Sequence, residues 1–215
     1  MEKTFTPLNR KIISNKPHHL REHQREHILV RKASPEDLQE IYHIACTVGK
    51  AQKNPYQGFL VDDYASDPRH YKEQFKKAIF ELEHFYVAAI FDRLLGFLMA
   101  YTKDQWLKYN EKWLEEVVWH PNFDLSKTKN FILVGKTAIR AHLTNRGIGS
   151  KLYARLIEDV RSRGFHNILA ETVIDSVPNF ASLSFRKKQN YSLAGIRYGE
   201  YRGEIITDLI YHKPV

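Results

Sequence analysis

Cysteine is almost missing from this chain: Cys46 is the only one in 215 residues. An intramolecular disulfide is therefore excluded, and a reducing, cytoplasmic setting is expected. Long apolar runs are missing too. The longest, such as Phe85 to Phe91, fall well short of the ~18–20 residues that a membrane span requires, and the N-terminus has no apolar signal-peptide core. No membrane partner is expected. No Cys and His set shows the spacing of zinc ligands, so no metal is expected either. The formal charge of +8 asks for an anionic partner, yet no helix-turn-helix or RNA-recognition signature accompanies it, which gives nucleic acid little support. A nucleoside-triphosphate loop, with four residues between its glycines and then Gly-Lys-Ser/Thr, is absent. So is the Gly-x-Gly-x-x-Gly dinucleotide fingerprint, because position 152 is Leu. What remains is a packed globular composition, 43% hydrophobic and 13% aromatic, of a length that suits one sizeable domain.

The most informative stretch is Thr144-Asn145-Arg146-Gly147-Ile148-Gly149-Ser150-Lys151-Leu152. An apolar, β-prone run from Phe131 to Ile139 precedes it. Ile148, Leu152, Leu156, Ile157 and Val160 follow at the 3.6-residue spacing of a half-buried helix. A strand thus runs through a Gly-rich turn into a helix. The first turn of that helix presents backbone N–H groups without intrahelical partners, at the positive end of its dipole. Glycines let a phosphate approach those groups closely, and Arg146 and Lys151 add positive charge beside them. The stretch reads as a diphosphate cradle.

Around it the chain alternates strands and helices. Residues 1–27 are polar and basic, with histidines 18, 19, 23 and 27 and no lasting periodicity, and read as an N-terminal extension. The domain starts with a strand from Ile28. Ser34-Pro35-Glu36-Asp37 then supplies an N-cap, a proline at the first helical position and an acid at the capping-box place. A helix follows through Leu38, Ile41 and Ala45, and another from Asp67-Pro68 to Leu82. Between them, Asp62 and Asp63 are either solvated loop acids or an attraction for a cationic amine. Strands are expected at 85–91 and 96–101. Residues 104–128 hold all three tryptophans, with Trp106, Leu107, Trp113, Leu114, Val117 and Val118 at helical spacing. They read as an inserted helical segment whose stripe packs on the domain, forms a homodimer contact or closes as a lid. Strands are expected again at 131–139, 167–173, 191–197 and 204–212, and a helix N-capped by Asn179 between the second and third of these. The order gives an α/β fold with a mixed central sheet flanked by helices.

The Gly-rich turn resembles the acyl-CoA loop of the GNAT family of N-acetyltransferases, Arg/Gln-x-x-Gly-x-Gly/Ala. Gly147, Gly149 and Arg146 match, and Thr144 stands where the family prefers Arg or Gln. A second resemblance lies about thirty residues on, where Asn179-Phe180-Ala181-Ser182 fits the family's Asn-x-x-Ala/Ser. There Arg186 takes the place of the usual aromatic and Asn190-Tyr191 that of Gly-Phe. The likeness spans residues 28 to 213 and implies a GNAT fold using acetyl-CoA as cosubstrate, with a small-molecule or peptide amine as acceptor. It further implies that backbone N–H groups of Thr144, Asn145, Arg146, Gly147, Ile148, Gly149 and Ser150 hold the CoA diphosphate. The N–H of Ile139 would polarise the thioester carbonyl, Asn179 and Ser182 would face the pantetheine and acyl end, and Arg186 would lie near the sulfur.

Direct attack by an amine needs a base. Glu171, an acid within the apolar run 168–173, and His142, just before the glycines, are the two candidates. Arg186 cannot be a general acid, because guanidinium does not deprotonate at ordinary pH. It can stabilise a departing thiolate, and Tyr191 is a substitute acid. The departure at position 186 also admits a second expectation, a GNAT-fold protein that binds acyl-CoA and regulates without turnover.

Overall fold

The computed structural model describes residues 27–174, 177–201 and 203–215. The expected extension, with histidines 18, 19 and 23, lies outside the described residues. The elements are β1 (Leu29–Lys32), α1 (Leu38–Thr47), α2 (Pro68–Glu81), β2 (His84–Ile90), β3 (Arg93–Thr102), α3 (Lys103–Leu107), α4 (Trp113–Glu116), β4 (Val117–Trp119), β5 (Ile132–Ile139), α5 (Ile148–Ser162), β6 (Asn167–Val173), α6 (Phe180–Lys188), β7 (Ser192–Tyr201) and β8 (Glu204–Pro214). They form an eight-stranded sheet in the order β1-β2-β3-β5-β6-β8-β7-β4. Every neighbouring pair is antiparallel except β5 with β6. Among the described residues, no helix is long and apolar enough to cross a membrane.

Local chemistry explains the boundaries. Ser34 N–H donates to the Asp37 carboxylate at 2.8 Å, and Arg31 grips the same carboxylate through both terminal nitrogens at 2.6 and 2.8 Å. The turn into α1 is thereby fixed to β1. Asp67 caps α2 by accepting from His70 N–H at 3.0 Å, with Pro68 at the first helical position. Leu152, Leu156 and Val160 of α5 pack on Tyr86, Leu98 and Ile132 on one face of the sheet. Ile41 and Ile44 of α1 and Phe75 of α2 pack on Val87, Phe97 and Met99 on the other.

The segment between β3 and β5 departs from its expected single helix. It makes two short helices and a strand, β4, which pairs with β7 from Val117↔Arg197 to Trp119↔Gly195. Its β-branched pair Val117-Val118 suits the sheet edge, and Gly195 opposite lets the backbones close: an added Cβ there would lie 2.8 Å from Val118 O. The tryptophan stripe is turned inward. Trp113 is fully buried against Phe131, Leu133, Leu169, Ala194 and Ile210, and its ring meets Trp106 and Trp119 edge-on at 6.3 and 6.1 Å.

Candidate active site

β5 and β6 run parallel and bond only at Ile132↔Ile168, Leu133↔Leu169 and Val134↔Ala170. Beyond these pairs the two strands part, although β5 continues to Ile139 and β6 to Val173. A bulge at Gly135 marks the parting. Lys136 stands opposite Met99 and Val134 opposite Ala100, and a Cβ on Gly135 would meet the Tyr101 ring at 2.6 Å. The outer part of β5 remains bonded to β3. Arg140 N–H donates to Leu95 O at 2.9 Å, so strand alternation directs the N–H of Ile139 the other way, to the edge that β6 has left.

That edge opens into a cleft of about 440 Å³. Ile139, Thr144, Asn145, Gly147, Ile148, Gly149, Ser150, Ser182 and Arg186, all expected site residues, line it. Gly147 precedes α5 at φ +79°, a left-handed conformation that favours glycine, and Asn145 is also left-handed at φ 64°. The first intrahelical bond into Gly147 O comes from Lys151 N–H at 3.1 Å, which leaves the N–H groups of Ile148, Gly149 and Ser150 facing outward. The opposite wall is stapled to α6. Ala181 N–H donates to Pro55 O at 2.9 Å, and Tyr56 stacks on Phe180 at 5.4 Å.

Several expected residues sit elsewhere. Arg146 is exposed and does not line the cleft. Asn179 is buried as the α6 cap: its Oδ1 accepts from Ser182 N–H at 3.1 Å, and its Nδ2 donates to Phe59 O at 3.0 Å. His142 is exposed on a 3₁₀ turn, Ala141–Leu143, away from the cleft wall. Asp62 is no solvated loop acid. It is 9% exposed, accepts from Tyr64 Oη at 3.0 Å and pairs with Lys136.

Glu171 stands one residue past the last β5–β6 pair, at the apex of the parting. Leu169 before it belongs to the Trp113 core and Ala170 to the α5 core, so alternation places Glu171 on the Trp113 face. Trp113 Nε1 donates to its Oε1 at 2.6 Å, and Arg197 approaches at 3.5 Å. Burial, and then the Asp208 carboxylate, push its acid up to about 7, against the hydrogen bond from Trp113 and the charge of Arg197. Burial also raises Asp208, to about 6.

Arg186 occupies the other face. It is 6% exposed and lies over the rings of Tyr153 and Tyr191 at 5.5 and 5.0 Å, with one terminal nitrogen donating to Tyr153 Oη. No carboxylate pairs with it among the described residues, and both its Nε and Tyr191 Oη are buried without a hydrogen-bond partner. A buried, uncompensated guanidinium is costly. Two positioning residues carry no signal in the sequence. Arg140 anchors the end of β5 through Nε to Leu94 O at 2.7 Å and through Glu40 of α1. Tyr153 shapes the Arg186 site but reads in sequence as one more apolar helix position.

A parted pair of parallel strands, a free N–H edge and a glycine-led helix start meet at this one cleft. The chain belongs to the acetyltransferase (GNAT) family, whose sequence model matches residues 50–191. Membership makes acetyl-CoA the cosubstrate and acyl transfer the general activity. None of the curated proteins matches the sequence. Solved structures share the fold. The PaiA N-acetyltransferase of Thermoplasma acidophilum, in complex with coenzyme A, is 17% identical with a TM-score of 0.58, covering 88% of this chain and 99% of its own. The ribosomal-protein-S18-alanine N-acetyltransferase of Escherichia coli is 14% identical with a TM-score of 0.56, covering 88% and 94%. An N-acetyltransferase from Staphylococcus aureus is 17% identical with a TM-score of 0.54, covering 87% and 98%.

Proposed function

We propose that this acetyltransferase moves the acetyl group of acetyl-CoA to a primary amine of a small molecule or peptide, by direct attack within a ternary complex. The observation that carries the reading is the free β5 edge at Ile139, set beside the N–H groups that open α5. Those N–H groups take the diphosphate. The Ile139 N–H holds the thioester oxygen and the negative charge that develops on it. The amine nitrogen bonds to the carbonyl carbon, the carbon–sulfur bond breaks, and the electron pair leaves on sulfur.

An alkylammonium has a pKa of about 10, so a base must take its proton at neutral pH. Neither Glu171 nor His142 lines the cleft; Glu171 suits this better, because it stands at the apex of the strand parting and its acid range is raised to about 7. Arg186 lies on the opposite face of the sheet, where its charge stabilises the departing thiolate. The same arginine supports a second reading, binding without turnover, since it supplies no general acid.

Calorimetric titration with acetyl-CoA on wild type and Gly147→Glu tests the site. Binding is expected to wild type and to vanish in the variant, where a carboxylate occupies the diphosphate place. Thiol release across a panel of alkylamines and peptides tests the transfer, with Glu171→Gln expected to lower kcat by about 10²–10⁴-fold. Binding with no thiol release throughout the panel sinks the transfer and leaves the silent binder.

A further inference from the structure

The two carboxyl oxygens of Glu171 have different surroundings. Oε1 accepts from Trp113 Nε1 at 2.6 Å and faces Arg197 Nη1 at 3.5 Å. No hydrogen bond reaches Oε2 from the described residues. Arg197 is itself held from three sides, with Nε on Glu116 at 2.9 Å and Nη1 near Asp208 at 3.9 Å as well as near Glu171. Trp113 and Glu116 both belong to α4, in the segment between β3 and β5, and β4 of that segment pairs directly with the Arg197 strand at Val117↔Arg197.

We infer that this segment positions the base of the reaction: Trp113 and Arg197 anchor Glu171 through Oε1 and leave Oε2 as the atom that receives the amine proton. The inference rests on Glu171 being that base. Its physical grounds are independent of it. Trp113 is 1% exposed and locked between Phe131, Trp106 and Trp119, so its N–H cannot swing to another acceptor. An indole N–H donates only, and donation to a carboxylate favours the ionised form. The carboxyl rotation that would exchange the two oxygens breaks that bond. Around Glu171 the charged groups are Arg197 from β7, Asp208 from β8 and Glu116 from α4. Arg197 is therefore a second anchor and the two acids oppose ionisation. Trp113 and Arg197 act on the proton only through Glu171, and none of the three lines the cleft, so both are positioning residues.

The indole ¹⁵N–H signals of the full chain, followed from pH 5 to pH 9, test this without any acceptor. One of the three tryptophan signals is expected to titrate with a midpoint near that of Glu171, to disappear in Trp113→Phe and to lose its titration in Glu171→Gln. In ¹³C-carboxyl spectra, Trp113→Phe is expected to raise the Glu171 midpoint by about one pH unit, the worth of one hydrogen bond to a charged group, while acetyl-CoA titration stays as in wild type. Arg197→Gln, at a partly exposed position, raises the midpoint too and serves if Trp113→Phe does not fold. A Trp113 signal that ignores Glu171, or a Glu171 midpoint unmoved by both variants, overturns the anchoring. Anchoring that holds while Glu171→Gln turns over at the wild-type rate overturns the base assignment instead.

Discussion

Among the described residues no carboxylate stands beside Arg186, a cation kept out of water, and such a group normally lowers stability. Replacing buried charged groups with apolar ones of similar size is often neutral or stabilising by about 1–4 kcal/mol. Tyr153, Tyr191 and the cleft are what surround it, so methionine fills the same space without the charge. Arg186→Met is therefore expected to leave urea stability unchanged or raised by about 1–2 kcal/mol, while transfer slows about 10²-fold, as when one stabilising donor is removed from a developing anion. Equilibrium unfolding and thiol release, measured side by side, check the pair of effects. A large loss of stability with turnover intact gives the guanidinium a structural role. Tyr191 does not take over as a ready acid, because burial pushes its phenol upward, away from neutral pH.

At the scale of elements, the site depends on how closely β3 approaches β5. Gly96 lies opposite Ile139, and a Cβ there would stand 2.5 Å from Ile139 Cδ1 and 2.6 Å from Ala138 O. The second contact is with backbone, which cannot swing aside. Gly96→Ala is expected to cost about 1–3 kcal/mol of stability through overpacking and to weaken acetyl-CoA binding by shifting the Ile139 N–H. By contrast, a Cβ on Gly147 meets open space. Gly147→Ala then carries only the left-handed backbone cost, about 1–2 kcal/mol. Urea melts and calorimetry on the two variants separate a packed contact from a backbone conformation.

The same contrast decides what can be read in advance. The Gly147–Ser150 turn, the Ser34 and Asp67 helix starts and the order of strands and helices outside residues 104–128 depend on neighbours in sequence, and all are legible there. β4 is not legible, because Val117 and Val118 continue a helical spacing from Trp113, and only pairing with β7 makes them a strand. Nor is the setting of Glu171: an acid in an apolar run shows that something unusual holds it, but Trp113, Arg197 and Asp208 arrive from three distant elements. Asp62 reads as a loop acid until Lys136, 74 residues away, is brought to it.

Over the whole molecule, buried acids and buried histidines act on stability with opposite signs. His212 is 2% exposed, with Nε2 beside Asn167 Oδ1 at 2.9 Å, and burial, then the charge of Lys127, lower it to about 4. His84 is fully buried against Tyr86 Oη and is lowered as well, by burial and then Arg163. A histidine with a depressed folded pKa leaves the unfolded chain binding more protons below about 6.5, so its contribution declines as pH falls toward the folded value. Glu171 runs the other way. With its folded value near 7 against the ordinary 4.5, the folded chain binds more protons between these limits, and stability increases as pH falls through them. Asp208, raised to about 6 from 3.8, adds in the same direction. The two tendencies overlap and partly cancel between roughly pH 4.5 and 6.5. Wild-type stability is therefore expected to change little across that window. His212→Gln removes one destabilising proton uptake, so its stability is expected to rise relative to wild type as pH drops from 7 to 5. Glu171→Gln removes the opposing contribution, and its advantage over wild type is expected to be largest at pH 8 and to shrink toward pH 5. Each difference is bounded by roughly 3 kcal/mol, since every pH unit separating a folded from an unfolded pKa is worth about 1.36 kcal/mol. Thermal melts of the three proteins at matched ionic strength resolve the two slopes. Parallel curves for wild type and Glu171→Gln would mean that Glu171 titrates alike in the folded and unfolded chain, and the raised acid range that commends it as the base would have to be given up along with the slope.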